Sequence, residues 1–270
     1  MPHETRYRAV VNVAEARRAE HPGRARRLAR RSVAAGTSAW RTPSRRRILL
    51  ALVSALLTAF AFSRVAEDYL TNDPLARWDV RFAHWLALER TAAGTDAFRI
   101  LTFFGSPAVA LVLTSVVFIA LYQRRLLLDA ALLPLVLGGA ELLNLILKLS
   151  FHRARPEVAL IHLDTYSFPS GHAMISTAAY GARAYLAWSR LRTRGQRVAL
   201  LAGTIALVSL ICFSRLYLGV HYLSDVLAGL AGGLFWLSVS IAVHTAYGER
   251  LVVRFSGSRL DRAGRLLLRS

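Results

Sequence analysis

Residues 126–146 read LLLDAALLPLVLGGAELLNLI, a run of 21 residues with two acids and no basic side chain. An α-helix of about 20 mostly apolar residues is long enough to cross the roughly 30 Å hydrocarbon core of a bilayer. Five other stretches are similarly apolar, and they are 48–65, 100–122, 173–188, 198–213 and 222–246. The six stretches predict an all-α, polytopic integral membrane protein with a bundle of six transmembrane helices.

The composition of the whole chain agrees with a membrane protein that has basic loops and tails. Apolar residues make up 54% of the 270 positions, yet the formal net charge is +19. A soluble domain rarely combines these two values, so the charge must be segregated from the apolar mass. The single cysteine, Cys212, excludes an intramolecular disulfide scaffold and a zinc site built from several cysteines.

The arginines predict the orientation of the chain in the membrane. With six spans, 25 arginines lie on the side that holds both termini and 7 lie in the loops on the opposite side. The positive-inside rule then places both termini in the cytoplasm. We therefore expect an integral protein of a cytoplasmic membrane, in which the loops that contain Arg155, Ser170 and Arg215 face the periplasm or the extracellular space.

Three regions follow from this pattern. Residues 1–47 are predicted to be a basic and partly disordered cytoplasmic tail, residues 48–247 the helical domain, and residues 248–270 a second basic cytoplasmic tail. Arginine runs such as residues 45–47 are also found in nucleic-acid-binding proteins. No recognisable nucleic-acid module accompanies them, and a basic segment beside a span is explained by topology and anionic lipids. We expect no nucleic-acid partner.

The segment 72–90 is too polar to be a span but has a helical pattern. Leu75, Trp78, Phe82 and Trp85 recur at helical spacing and define one apolar stripe, from which Asp79 is largely displaced. The pattern predicts an amphipathic helix at the outer membrane surface with two tryptophans at the depth of the headgroups. A helix packed on the bundle would show the same pattern, and the sequence does not separate the two.

Polar residues concentrate at the outer ends of the predicted spans in three clusters. They are KLSFHRARP at 148–156, PSGH at 169–172 and SRLYLGVHYLSD at 214–225. Charged side chains at the ends of apolar helices are costly to desolvate, which favours a functional role. All three clusters are predicted on one membrane face, so they can form a single pocket. Lys148 is the only lysine beside 34 arginines, which suggests that its ammonium group is required there.

The three clusters resemble the three motifs of the type 2 phosphatidic acid phosphatase (lipid phosphate phosphatase) superfamily, in its bacterial membrane-bound branch. The motifs are lysine, six residues and Arg-Pro; then Pro-Ser-Gly-His; then Ser-Arg, five residues, histidine, three residues and aspartate. Every motif position is matched, and the six predicted spans match as well. Soluble vanadium haloperoxidases have a similar site, but the apolar spans argue against that alternative.

The residue types fit the binding of a phosphate ester. Lys148, Arg155 and Arg215 supply positive charge for the equatorial oxygens of a phosphoryl group. Ser170 and Gly171 begin a helix whose free N–H groups favour an anion. These cations make a metal unnecessary, and no cluster of metal-binding carboxylates is visible, so we expect no metal and no other cofactor.

Two histidines and one carboxylate are the candidates for catalysis. His221 and Asp225 are four residues apart and share a helix face, so that the carboxylate can orient the imidazole. Without the other motifs the pair would be read as an ordinary helix contact. The resemblance implies a phosphohistidine on His221 that water later hydrolyses, while His172 protonates the departing alkoxide.

Two further patterns predict supporting contacts. Glu141 and Asn144 lie on the helix face of Lys148. They are expected either to brace it or to form hydrogen bonds between spans, and we favour bracing. Small residues in the last predicted span allow close packing between helices, and they are Ala228, Gly229, Gly232 and Gly233.

The sequence thus predicts a metal-independent integral membrane phosphatase acting on lipid phosphates or diphosphates. Phosphatidic acid, phosphatidylglycerophosphate and undecaprenyl diphosphate are the leading candidate substrates. One alternative is a phosphatase or phosphotransferase for a soluble phosphate ester, and another is a non-catalytic membrane protein that binds a phosphate ester. Membrane lipids are the other expected partner, and the sequence leaves the oligomeric state open.

Overall fold

The computed structural model describes residues 22–71 and 74–256, and all of the regular secondary structure in these residues is helical. The prediction of an all-α protein is therefore confirmed for the described part of the chain. The eight helices are α1 (Pro22–Thr71), α2 (Pro74–Leu88), α3 (Ala92–Phe103), α4 (Pro107–Gln123), α5 (Leu127–Phe151), α6 (Gly171–Trp188), α7 (Arg194–Tyr217) and α8 (Leu223–Ser256).

Within these residues, four helical segments are long and apolar enough to cross a membrane. They are Ser44–Thr71, Leu127–Phe151, Arg194–Tyr217 and Leu223–Gly248. The bent pair formed by α3 and α4 is a fifth candidate when it is counted as one span. Helix α6 is not among them, although 173–188 was predicted to cross, so the count of six remains a prediction. Most side chains of α6 are buried or half-buried against other helices, where polar groups face the interior of the bundle and not lipid.

The predicted second span, 100–122, is not one continuous helix. Helices α3 and α4 meet at an angle of 42°. The sequence explains the break, because the side chain of Ser106 accepts a hydrogen bond from the backbone N–H of Val109 and Pro107 occupies the first turn of α4. Serine at the N-cap and proline in the first turn are strong signals for the start of a new helix.

The predicted domain boundaries fall inside helices. Helix α1 already begins at Pro22, so the described part of the 1–47 tail is helical and continuous with the first span. Helix α8 likewise continues past residue 248 to Ser256. Residues 1–21 and 257–270, which include the tail segment predicted to be poorly ordered, lie outside the described residues.

Helices α6 and α8 form the centre of the bundle. Helix α8 packs along α1, α5 and α6, and α6 also contacts α4 and α7. Gly229 and Gly233 make the close contact possible, because a Cβ atom at these positions would lie 2.5 Å from the carbonyl oxygens of Ser170 and Met174, respectively. The predicted role of these glycines in helix packing agrees with this contact, which brings α8 against the first turns of α6.

Helix α2 contacts the bundle through a face that coincides only in part with the apolar stripe, of which Phe82 packs against the cluster that contains Leu86. Asp79, Ala83 and Leu86 are its buried residues. Trp78 and Trp85 are 58% and 54% exposed. The helix therefore packs on the bundle and also presents two tryptophans outward, whereas its location at a membrane surface remains a prediction.

Candidate active site

The three motif segments meet at one end of the bundle. Backbone hydrogen bonds join them. The N–H of Ser170 donates to the carbonyl oxygen of Asp225 at 2.9 Å, and the N–H of Ser167 donates to the carbonyl oxygen of Arg153 at 2.8 Å. The N–H of Leu160 donates to the carbonyl oxygen of Leu218 at 3.0 Å. The residues predicted for the site from these segments are thereby brought into one cluster.

His221 and Asp225 form a buried pair at the start of α8. The Nδ1 atom of His221 lies 3.4 Å from Oδ2 of Asp225, and the two side chains are 3% and 0% exposed. The same Oδ2 atom accepts a hydrogen bond of 2.9 Å from the backbone N–H of Tyr222. In the tautomer whose Nδ1 proton points at the carboxylate, the Nε2 atom carries the lone pair of the ring.

Arg155 lies beside the Nε2 atom of His221. Its Nη1 atom is 3.3 Å from His221 Nε2 and donates to the carbonyl oxygen of Val220 at 2.6 Å. The other side of the guanidinium donates to the backbone and hydroxyl oxygens of Thr165, each at 2.8 Å. The cation is therefore held in one orientation next to the imidazole.

Lys148 is anchored to the same loop. Its ammonium group donates a hydrogen bond to the carbonyl oxygen of Tyr166. Asn144 does not brace it, contrary to expectation. Instead the Nδ2 atom of Asn144 lies 3.5 Å from the carbonyl oxygen of Pro169, so this side chain supports the turn that leads into α6. No hydrogen bond or ion pair joins Glu141 to Lys148 in the described residues.

Arg215 and His172 are supported by the bend between α3 and α4. The Nη1 atom of Arg215 donates to the Thr102 hydroxyl at 2.7 Å, while its buried Nε atom has no hydrogen-bond partner in the described part of the chain. Gly105 approaches His172 so closely that a Cβ atom there would lie 3.1 Å from the imidazole Cδ2 atom. No local signal predicts these contacts, because Thr102 and Gly105 lie in a predicted span.

The first turn of α6 presents polar groups that its own side chains do not cap. Ser170 is the N-cap residue and is fully buried, yet its hydroxyl makes no cap hydrogen bond and has no partner among the described residues. Gly171 follows, and a Cβ atom at that position would lie 3.0 Å from the side-chain Oδ1 atom of Asn144. A helix N-terminus with free N–H groups favours an anion.

The positive charges of the cluster act on His221. Burial, followed by the charges of Arg215, Arg155 and Lys148, lowers the pKa of His221 well below its ordinary value. Burial likewise lowers the pKa of Arg155. The site is therefore a strongly cationic environment around a neutral imidazole. Among the side chains that the structure describes, no group of three histidine, cysteine, aspartate or glutamate residues is arranged to hold a metal ion.

The sequence analysis did not identify the residues that hold Asp225 in place, which are Arg153 and Asp79. The guanidinium of Arg153 donates to Asp225 Oδ1 at 2.7 Å, to the Ser224 hydroxyl at 2.6 Å and to Asp79 Oδ2 at 2.8 Å. Arg153 lies within the first motif segment but at a position that the motif leaves open. Asp79, 74 residues upstream, could have been singled out only as an acid off the apolar stripe of α2.

Comparisons with known proteins agree with the motifs. The sequence model of the PAP2 superfamily matches residues 129–249. Phosphatidylglycerophosphatase B of Bacillus subtilis is 37% identical over 138 residues, which cover 50% of this chain and 67% of that protein. The crystal structure of a transmembrane PAP2-type phosphatidylglycerolphosphate phosphatase from Bacillus subtilis superposes with a TM-score of 0.65 and 28% identity, and the match covers 69% of this chain and 94% of that one. The chain therefore belongs to the PAP2 superfamily.

Proposed function

We propose that this protein is an integral membrane phosphatase that removes phosphate from lipid phosphates through a phosphohistidine on His221. The observation that carries the proposal is the buried His221–Asp225 pair, which lies between cations at one end of a bundle of apolar helices. The names of the two Bacillus subtilis relatives support a lipid phosphate as the substrate class.

The nucleophile is the Nε2 atom of His221. Asp225 holds the Nδ1 proton and so keeps the Nε2 lone pair available for attack on phosphorus. The low pKa of His221 keeps the imidazole neutral at the pH of a cell surface. In the first step the bond from Nε2 to phosphorus forms while the ester bond from phosphorus to oxygen breaks.

The phosphoryl oxygens are bound by Lys148, Arg155 and Arg215, together with the hydroxyl of Ser170 and the N–H groups at the start of α6, where Gly171 lies. Phosphoryl transfer depends largely on positioning and on the neutralisation of charge over the equatorial oxygens. The unpartnered Ser170 hydroxyl and Arg215 Nε atom support this assignment, since a phosphate would supply the acceptors that they lack.

His172 is the general acid for the leaving group. It lies in the first turn of α6, one residue after Gly171, where burial and the charges of Arg215 and His221 lower its pKa. The negative charge of a bound phosphate ester counteracts these cations, which favours the protonated form that a general acid needs. His172 donates a proton to the departing alkoxide in the first step. In the second step it accepts a proton from the water that attacks the phosphohistidine, which regenerates His221 and releases inorganic phosphate.

Metal independence is a further part of the proposal. The three cations and the helix N-terminus supply the positive charge that a divalent ion provides in many other phosphatases. The donors at the site are nitrogen atoms of cationic groups, which repel a metal ion.

The apolar helices favour a substrate whose tail stays in the membrane while its headgroup reaches the cluster. Of the three candidates from the sequence, phosphatidylglycerophosphate gains support from the relatives, whereas phosphatidic acid and undecaprenyl diphosphate rest on the chemistry of the site alone. We also propose that the site faces the periplasm or the extracellular space and that both termini are cytoplasmic.

The decisive experiment is phosphate release by the purified full-length protein in detergent with EDTA present. The panel should contain the three lipid candidates and a soluble sugar phosphate, with His221→Ala as the matched control. We expect release from a lipid phosphate, inhibition by vanadate and no release by the variant. Release from the sugar phosphate alone would favour a soluble substrate, and binding of vanadate without any release would favour a non-catalytic protein. Loss in EDTA that Mg²⁺ restores would contradict metal independence.

A further inference from the structure

Arg153 is a buried cation with an unusually complete set of partners. Its side chain is only 8% exposed, and its guanidinium contacts the two carboxylates of Asp79 and Asp225. Its Nη1 atom also donates to the hydroxyl of Ser224. A buried arginine that bridges two fully buried carboxylates is costly to assemble, so its partners identify what it holds in place.

Arg153 completes the hydrogen bonding of the Asp225 carboxylate. The Oδ1 atom accepts from Arg153 at 2.7 Å. The Oδ2 atom accepts from the backbone N–H of Tyr222 at 2.9 Å and faces His221 Nδ1 at 3.4 Å. Because each oxygen has a fixed partner, the carboxylate cannot rotate without breaking one of these contacts. The orientation of the imidazole therefore depends on Arg153 through Asp225.

Arg153 is itself fixed from several sides. Its Nη2 atom donates to Asp79 Oδ2 at 2.8 Å, and Asp79 in turn accepts from the backbone N–H of Ser224 at 2.9 Å. The guanidinium also lies between two aromatic rings, 4.6 Å from the centre of Tyr69 and 4.3 Å from the centre of Tyr222. Helices α1, α2 and α8 thus all contribute to its position.

We propose that Arg153 is a positioning residue for phosphoryl transfer, which holds Asp225 in the orientation that aims His221 at the phosphorus. The inference rests on the proposed roles of His221 and Asp225. Arg153 does not contact the substrate, because its donors are directed at Asp79, Ser224 and Asp225. It also makes helix α2 part of the catalytic machinery, since Asp79 anchors the guanidinium from that helix.

The planar guanidinium explains why an arginine is required. It donates from two nitrogens to Asp225 and Asp79 at the same time, a geometry that a single ammonium group does not reproduce. Arg153→Lys therefore keeps the positive charge between the carboxylates but loses the bridge. Arg153→Gln loses both and leaves two buried carboxylates without a cation between them.

The test compares Arg153→Lys with the wild-type protein in detergent. We expect kcat to fall by roughly 10²-fold, the loss typical of a reacting group displaced by about 1 Å. KM and the inhibition constant for inorganic phosphate should not change, because Lys148, Arg155 and Arg215 are untouched. In an Asp225→Asn background the same substitution should have little further effect, since both changes break one chain of contacts.

Arg183→Gln is the control for loss of a half-buried arginine outside the site. Arg183 bonds to the Thr114 hydroxyl at 2.7 Å and to the Ala110 carbonyl oxygen at 3.2 Å, and neither is a carboxylate. We expect this variant to retain kcat. An Arg153→Lys variant with wild-type kcat, or one in which KM and inhibition by inorganic phosphate worsen as much as kcat falls, would overturn the inference. An equal loss of kcat in Arg183→Gln would also overturn the inference.

A spectroscopic measurement separates this inference from the proposed function. In protein labelled with ¹⁵N-histidine, the Nδ1 resonance of His221 is assigned by its loss in His221→Gln. We expect Arg153→Lys to shift this resonance, whereas Arg183→Gln should leave it in place. An unchanged resonance in Arg153→Lys would refute the positioning role. If the wild-type protein released no phosphate from any ester, the proposed function would fail, and the resonance would still decide the role of Arg153.

Discussion

The two proposed catalytic histidines differ in what surrounds them, and this difference separates their roles. His221 has a carboxylate on Nδ1 and a guanidinium 3.3 Å from Nε2. His172 has no carboxylate partner among the described residues and lies against Gly105 at the bend between α3 and α4. An imidazole oriented by a carboxylate suits a nucleophile, and one without such a partner is free to exchange a proton with a leaving group.

The loss of turnover on substitution should therefore depend on the leaving group of the ester for one histidine and not for the other. His221→Ala should abolish turnover of every ester, because no covalent intermediate forms. His172→Ala should lower turnover of a lipid phosphate by about 10²–10⁴-fold, the usual contribution of general acid catalysis. Turnover of a nitrophenyl phosphate by the same variant should fall much less, because that leaving group needs little protonation. The measurement is the ratio of the two rates, variant against wild type, because weaker phosphate binding affects both substrates.

Two outcomes would contradict this assignment. Equal losses of His172→Ala on both substrates would deny it the role of general acid. Turnover of the nitrophenyl ester by His221→Ala would assign the nucleophile to another residue.

The pKa of His221 leads to a prediction about pH. Burial and the neighbouring cations lower this pKa, so the imidazole remains neutral as the pH falls through the ordinary histidine range. The acid limb of kcat/KM, corrected for ionisation of the substrate, should therefore lie below the ordinary histidine pKa of about 6.5. Arg155→Gln and Arg215→Gln each remove one of the cations, and in both variants any residual activity should show the limb at higher pH. A wild-type limb at the ordinary value would contradict the inferred environment of His221.

At the scale of elements, the contact between α6 and α8 fixes the site. Gly229 lies against the first turn of α6, where a Cβ atom would meet the Ser170 carbonyl oxygen at 2.5 Å and the Ala173 Cβ atom at 2.8 Å. These neighbours are backbone and a short side chain, so they cannot move aside. The positions of Ser170 on α6 and of Asp225 on α8 therefore depend on the absence of a side chain at residue 229.

Gly229→Ala should lower both stability and activity. Overpacking of a well-packed contact typically costs about 1–3 kcal/mol, and here it also separates the two helices that carry the site. The matched control is Gly203→Ala, because a Cβ atom at Gly203 meets nothing within 4 Å. Thermal unfolding in detergent and phosphate release should both be measured. Equal behaviour of the two variants would show that the close approach at Gly229 is not required.

The elements also show what the sequence could and could not predict. Periodicity and run length predicted apolar helices in 126–146, 198–213 and 222–246, because each run carries its own signal. The break between α3 and α4 was missed, although Ser106 and Pro107 are ordinary helix-start signals, since the run of apolar residues concealed them. The apolar stripe of α2 predicted that Asp79 lies off the packed face. Hydrophobic periodicity carries no information about ion pairs, so it did not predict the buried contact of Asp79 with Arg153.

At the scale of the whole molecule, the motifs predicted which residues would meet but not what holds them. The spacing of four residues was enough to pair His221 with Asp225. The bond from Arg153 to Asp79 spans 74 residues, and that from Arg215 to Thr102 spans 113. Such contacts depend on how the helices pack, and one sequence carries no local signal for them. The proposed orientation in the membrane is likewise a property of the whole chain, which the arginine distribution predicts.

That orientation can be tested with single cysteines in intact cells. Asp164→Cys places a thiol in the loop that anchors Arg155, where the native side chain is 95% exposed. Gly195→Cys places one at the opposite end of the bundle, at an exposed position where a Cβ atom meets nothing within 4 Å. An impermeant maleimide should label the first thiol and not the second. Residue 195 lies on the side that holds 25 arginines, against 7 on the other side, and the positive-inside rule places that side in the cytoplasm. The parent protein is the control for Cys212, which is buried and should stay unlabelled. Permeabilised cells should label both variants. The opposite pattern in intact cells would invert the orientation and place the site in the cytoplasm.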